Sequence, residues 1–328
     1  MWYLMKKFFK RFFLILFIVL FVFSLFFYKR IMLSYRIADK YISLKNHVWT
    51  IQEFNTQKSS SSMNYKDVIY KNTNGVPLKL DIYGPINQVY KSSPVLVYVH
   101  GGSWAYGDKN IPDALSPVLD TFREQGYTII STSYELMKEK ENFNKQISDV
   151  KDTIRWINKN QYSYNLNTSE IGIIGVSSGA HLSLMASYSG DDEFIDDNEL
   201  SNYSSKVKYL IDFAGPTDLS LLNTQNLNYD LSKIFASISN KEDVIKKYNP
   251  ITYVNKATPN TLIIHSNSDN MVPYESSKEL YDKCVQEHSK AKLITLNSSA
   301  HDLSDISKDD VIDISEGLLK FVIFNSPL

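Results

Sequence analysis

Three residues of this chain have the types that acyl-transfer chemistry needs: Ser177, Asp269 and His301, each just past a run of β-favouring residues. A serine hydroxyl is a weak nucleophile near neutral pH. An imidazole can take its proton, and a carboxylate can orient that imidazole. The most specific signal is local. IGIIGVSSGAH, residues 171 to 181, runs from strand-forming residues through Gly175-Val176-Ser177-Ser178-Gly179 into a short apolar helix. A G-x-S-x-G sequence between a strand and a helix is a nucleophile elbow. Its turn is so tight that side chains two residues either side of the serine are expected to collide, which calls for glycine at both. The serine is strained, with its hydroxyl projecting. The N–H groups that open the next helix favour developing negative charge. The bland alternative is a glycine-lined helix start with an ordinary capping serine.

The partners come from later strand ends. TLIIHSNSDNMVP places Asp269 in the loop after one strand, and KLITLNSSAHDLS places His301 in the loop after the next. The chain order Ser, Asp, His is the one this strand–helix architecture uses. Against these roles stand a turn-capping carboxylate and a surface loop histidine. Asp302 is a poorer orienting acid, because adjacent side chains rarely face each other as needed. After PVLVYVH comes His100-Gly101-Gly102-Ser103-Trp104. Its two glycines let the backbone bend towards a substrate. The N–H groups of Gly102 and Ser103, with that of Ser178, are the candidate oxyanion donors. A plain glycine turn is the alternative. His100 reads as a residue that fixes the loop, and Trp104 as packing or a pocket wall.

Eight β-runs must position these loops: KDVIYK, LKLDIYGP, PVLVYVH, YTIISTSY, EIGIIG, VKYLIDFAG, TLIIHS and KLITLN. The first two pair across the turn NTNG. Ile147, Val150, Ile154 and Ile157 step by three and four, which predicts one helix face. Further helices are predicted from about 178, over YESSKELYDKCVQEH, and over about 309 to 322. Apolar strands alternating with helices predict an α/β fold: a mostly parallel sheet of about eight strands, helices on both faces, and ligands at the strands' carboxyl ends.

Bulk properties narrow the function. The net charge is −1, from 35 basic and 36 acidic residues, which leaves no electrostatic footprint for nucleic acid. No HExxH or CxxC spacing marks a metal site, and the single cysteine, Cys284, reads as a packed thiol. Residues 191 to 199, DDEFIDDNE, read as a solvated acidic loop, with a calcium site as the lesser reading. The N-terminus differs from the rest. A basic, acid-free MWYLMKKFFKR precedes FFLILFIVLFVFSLFFY, residues 12 to 28, where Ser24 is the only polar interruption before Tyr28. That length is near the short limit for spanning a bilayer, and no small-x-small cleavage site follows. The expected organisation is a basic segment and transmembrane signal anchor at 1–30, a stalk or linker at 31–63 that includes KSSSSMN, and a catalytic domain at 64–328. Basic residues flank the span on both sides, so orientation rests on its likeness to an export signal; the domain is expected to be extracytoplasmic. A cleaved signal peptide is the alternative.

Together LDIYGP, HGGSW, the helix with Asp149 and Trp156, GVSSGAHL, NPITYV, HSNSDNMVP and SSAHDL resemble the α/β-hydrolase superfamily over about 64 to 326. They look most like its esterase/lipase-type members, related to hormone-sensitive lipase, acetyl esterases and kynurenine formamidase. The resemblance implies the α/β-hydrolase fold. It also implies a cofactor-free and metal-free serine hydrolase that cleaves a small carboxylic ester through Ser177, His301 and Asp269. The segment from about 214 to 259 lies where this superfamily inserts cap elements and is short for an elaborate lid. Three departures stand out. Ser103 replaces the third glycine of a lipase-type HGGG, Ser178-Gly179-Ala180 replaces the usual Ala-Gly-Gly, and Ser266 replaces a glycine before Asp269. Amidase, formamidase or small-peptide peptidase activity fits the same scaffold. A catalytically silent binding domain and a purely structural membrane protein remain alternatives, and the oligomeric state is open.

Overall fold

The structure is a computed structural model that describes residues 9, 12–14, 16, 17, 28, 35, 63–73, 75–112, 115–222, 229–297, 301 and 306–325. By contact the chain divides into two units, one of Trp49–Gly317 and one of Met1–Val48 with Leu318–Leu328. All the residues singled out for chemistry belong to the first. The apolar run 12–28 and the linker 31–63 fall mostly outside the described residues. Among the described residues no helix is long and apolar enough to cross a membrane.

The eight expected strands form one sheet. They are β1 (Tyr65–Thr73), β2 (Val76–Tyr83), β3 (Ser93–Val99), β4 (Thr128–Thr132), β5 (Leu166–Val176), β6 (Tyr209–Phe213), β7 (Asn260–Ser266) and β8 (Ala291–Leu296). Their spatial order is β1-β2-β4-β3-β5-β6-β7-β8. β1 pairs antiparallel with β2 and β2 with β4; every other pairing is parallel. β3, β4 and β6 are buried at every residue, so both faces of the sheet's centre are covered. Their nearly continuous apolar runs have that cause, since a strand with one wet face alternates instead.

Seven helices are described: α1 (Ser116–Glu124), α2 (Phe143–Lys159), α3 (Ser178–Tyr188), α4 (Tyr229–Ala236), α5 (Lys241–Tyr248), α6 (Tyr274–Gln286) and α7 (Lys308–Asn325). The α2 stripe of Ile147, Val150, Ile154 and Ile157 is wholly buried, as its spacing predicts. α1 has no counterpart among the expected helices. It is nine residues long, it opens on a proline in the first turn, and its apolar anchors Leu119 and Phe122 make a single repeat. That is too little periodicity to recognise in a sequence. Between β6 and β7, α4 and α5 precede a short turn at Pro250–Tyr253, helices that the polar composition of this segment does not predict.

The acidic loop is not simply solvated. Asp196 pairs with Lys71 at 2.7 Å and also with Lys145. Lys71 lies buried on β1 and further binds Asp149 at 2.9 Å and Asp152 at 2.6 Å; Asp152 in turn holds Arg155 at 2.8 Å. Asp191 accepts from the backbone N–H and hydroxyl of Ser205, both at 2.6 Å. Buried charges persist only when paired in this way, and removing one partner typically costs about 3–5 kcal/mol. The cluster ties β1 and the 190s loop onto α2.

Candidate active site

β5 ends at Val176 and α3 begins at Ser178, so Ser177 carries the whole reversal, at φ +54° and ψ −122°. An L-residue there is strained and must be held by its surroundings. Its N–H donates to the Phe213 carbonyl at the end of β6, at 2.8 Å. The flanking glycines answer to different neighbours. A Cβ on Gly175 would lie 2.4 Å from the Gly179 oxygen and 2.5 Å from the Ala180 Cα. A Cβ on Gly179 would lie 2.3 Å from the carbonyl oxygens of both Val99 and His100. The first glycine therefore makes room for the opening turn of α3. The second lets that turn press on the end of β3, a contact that the expected side-chain collision across the elbow does not include.

Strand ends bring the two partners in. His301 Nε2 stands 2.9 Å from Ser177 Oγ, and His301 Nδ1 stands 2.6 Å from Asp269 Oδ2. A carboxylate oxygen can only accept, so Nδ1 carries the hydrogen and Nε2 is free to accept from the serine hydroxyl. Asp302 lies outside the described residues. Asp269 is fixed from four directions. Its Oδ1 accepts from the N–H groups of Met271 at 2.8 Å and Val272 at 2.9 Å. Its Oδ2 accepts from His301 and also from His265, at 3.1 Å. Burial alone would raise the pKa of this carboxyl. Hydrogen bonds from His265 and His301, with that from Val272, outweigh burial and hold it well below the usual carboxylate range.

His265, which opens the HSNSD motif, is a contributor to which that motif by itself gives no role. Its Nε2 also lies 3.0 Å from the Val272 carbonyl, so Nε2 is the donor, and Nδ1 accepts from Ser277 Oγ at 2.7 Å. The available signal was its place four residues before Asp269, at the last inward step of a buried strand. Ser266 causes no strain where the family pattern has glycine. It ends β7 without a positive φ, and its hydroxyl accepts the Ser268 N–H at 3.0 Å.

The HGGSW loop lies over the elbow: a Cβ on Gly101 would come within 2.9 Å of the Val176 oxygen and 3.4 Å of Ser177 Cβ. Gly102, Ser103 and Trp104 all have positive φ, at +122°, +50° and +63°. Ser103 thus takes up a left-handed conformation where a third glycine would cost nothing. The Gly102 carbonyl accepts from Ala105 at 3.1 Å and Tyr106 at 2.8 Å, which turns the loop back on itself. Among the described residues, the N–H groups of Gly102 and Ser103 donate to no protein acceptor. Ser178 is the first residue of α3, so its N–H has no partner within the helix. His100 fixes the loop: its ring stacks on Tyr134 at 4.3 Å, its Nδ1 lies 2.7 Å from the Gly101 carbonyl, and burial lowers its pKa.

Beneath the elbow, Asp212 sits on β6 opposite Gly175. One carboxyl oxygen accepts the Gly215 N–H at 2.8 Å, and among the described residues the other has no partner. Burial pushes the pKa up to about 7. A raised folded-state pKa means the group stabilises the fold fully below about pH 4, with that contribution lost as pH rises through 7. Asp212→Asn removes this dependence. Relative to the wild type, the variant is expected to gain about 4 kcal/mol between pH 4 and pH 8 in denaturant unfolding. A stability difference that does not change with pH would refute the assignment.

An eight-stranded, mostly parallel sheet with a strained serine between β5 and α3 defines the class: the α/β-hydrolase esterases and lipases. Within that class the BD-FAE family model matches residues 80–284, and the chain belongs to this family. The chain is similar to esterase LipC of Mycobacterium tuberculosis, 24% identical over 209 residues that cover 62% of this chain and 51% of the relative. It is also similar to the probable isoprenylcysteine alpha-carbonyl methylesterase ICME of Oryza sativa, 24% identical over 231 residues, 68% of this chain and 55% of the relative. The chain thus spans about half the length of these curated relatives. Among solved structures, a truncated carbohydrate esterase from gut microbiota superposes with a TM-score of 0.66 at 25% identity, covering 80% of this chain and 98% of that one. An esterase of Thermogutta terrifontis superposes at 0.64 and 20% identity, covering 81% and 92%, which speaks to fold alone.

Proposed function

We propose that this protein is a serine hydrolase of carboxylic esters. The observation that carries the reading is the single imidazole of His301, placed between the Ser177 hydroxyl and the Asp269 carboxylate. Ser177 Oγ attacks the acyl carbon while its proton passes to His301 Nε2. The charged imidazole is held by Asp269. The tetrahedral oxyanion is met by the N–H groups of Gly102, Ser103 and Ser178, each such donor being worth about 2.7–4 kcal/mol in the transition state. As the intermediate collapses, the proton goes from Nε2 to the leaving alcohol. Water then repeats the sequence on the acyl-serine and frees the acid. The named relatives support ester over amide chemistry, since each name reads esterase or methylesterase.

Covalent labelling by a fluorophosphonate, with matched esters, formamides and peptides as substrates for the full-length chain, tests the reading. Labelling at Ser177 with turnover of the esters is expected. Labelling with turnover of the amides alone would replace the ester assignment by an amidase. No labelling would leave a silent binding domain. The apolar run at 12–28 also supports a membrane anchor, and the likeness of the basic segment and apolar run to an export signal supports a catalytic unit on the extracytoplasmic side. Release of the intact chain by alkaline carbonate washing would refute the anchor.

A further inference from the structure

The oxyanion loop is held in a conformation its own backbone does not favour. Ser103 and Trp104 both occupy the left-handed region, at φ +50° and +63°. Each such residue costs about 1–3 kcal/mol and persists only where its surroundings over-determine it. The Gly102 carbonyl, bound by Ala105 and Tyr106, and His100 restrain the start of the loop. Its far end is held through Trp104, which is 2% exposed. Its carbonyl accepts from the Met137 N–H at 2.9 Å and from the Gln146 amide at 2.8 Å. Its ring meets Phe143 and His181 edge-on, both at 5.5 Å, and Phe235 at 5.8 Å. Its indole N–H donates to His181 Nδ1 at 3.2 Å.

His181 is wholly buried and lies on α3, one turn after Ser177. Its Nε2 stands 2.8 Å from the Tyr248 carbonyl at the end of α5. A carbonyl only accepts, so Nε2 carries the hydrogen and Nδ1 is left as an acceptor for the indole. The neutral imidazole, in this one tautomer, matches both neighbours. Burial agrees, lowering its pKa to about 4. The bond therefore joins two pieces of chain that each carry part of one site. The loop presents the Gly102 and Ser103 N–H groups, and the helix presents that of Ser178.

We propose that Trp104 and His181 are positioning residues: the indole–imidazole bond sets the loop's oxyanion donors in register with the donor at the head of α3. Neither side chain touches the reacting atoms. The inference rests on the ester-hydrolase reading and adds to it, because nothing in that mechanism requires a residue at 181. A misplacement of the donors near 1 Å is enough to cost about a hundredfold in rate.

The test compares full-length wild type with Trp104→Phe, which keeps an aromatic ring and deletes the donor, and with His181→Phe and the double variant. A tight-binding trifluoromethyl ketone, which forms an oxyanion on the serine, reads the donors directly. The single variants are expected to lose kcat by about 10- to 100-fold, with KM within about threefold. Affinity for the ketone should fall in parallel, and the double variant should be no worse than the poorer single one. Should a phenylalanine variant fail to fold, 3-benzothienylalanine at position 104 keeps the indole shape without its N–H, and its kinetics decide. Unchanged kcat and ketone affinity, or a rise in KM alone, would overturn the proposal. A wild type that turns over no ester would instead sink the reading beneath it.

Discussion

Ser177→Ala is expected to lower kcat for a short-chain aryl ester by about five to six orders of magnitude while the protein stays folded. The size follows from what the residue does alone. Without Oγ there is no acyl-enzyme, and His301 has no proton to accept at 2.9 Å. Removing a triad nucleophile costs about as much as removing the whole triad, because the members act as one unit. The proposed oxyanion donors are untouched, so a residual rate of about 10³–10⁴ over water is expected. Folding is little affected. Alanine keeps the same Cβ at φ +54°, the N–H bond to Phe213 is untouched, and Ser177 as a residue is only half-buried. Turnover and the unfolding midpoint of the full-length chain check both halves; equal rates for variant and wild type would end the assignment.

Asp269→Asn is expected to lower kcat by about 10⁴-fold, a loss caused by the wrong tautomer more than by lost charge. The surroundings dictate which way the amide sits. At the Oδ1 position the N–H groups of Met271 and Val272 both donate, so the amide oxygen must lie there. The NH₂ group then takes the place of Oδ2, facing His301 Nδ1 and the Nε2–H of His265. It donates to His301 Nδ1 and moves that ring's hydrogen to Nε2, where it can no longer accept from Ser177. It also sets two donors against each other at His265, so some stability is lost as well. The tautomer account requires activity to stay low at every pH where the wild type works, as steady-state rates would show. A loss smaller than tenfold would refute it.

Much of this site was legible before any fold was known, because its chemistry depends on residue type at strand ends. G-x-S-x-G can form an elbow only where glycine relieves specific contacts. An aspartate after β7 and a histidine after β8, both parallel to β5, are brought to the same sheet edge by topology alone. The helix face of Ile147, Val150, Ile154 and Ile157 was equally plain, since one buried stripe repeats over about three turns. What stayed hidden were contacts with no local signature. Lys71 reads as an ordinary polar residue in a strand, yet it is buried among carboxylates of α2 and the 190s loop. The helices α1, α4 and α5 are eight or nine residues each, too short for periodicity to outweigh polar composition.

By itself the sequence determined the parts: eight strands, their order of chemistry along the chain, and a serine, an acid and a base of the right kinds. Only the tertiary structure decided how those parts are held. It put His265 on the same carboxylate oxygen as His301, spread the elbow glycines' roles between α3 and β3, and tied a strained loop to α3 through Trp104 and His181. The physical reason is range. Turn sterics and hydrophobic period act over a few residues and leave a pattern. A tautomer or a donor's direction is set by neighbours 67 or 77 positions away, which meet only when the sheet has formed.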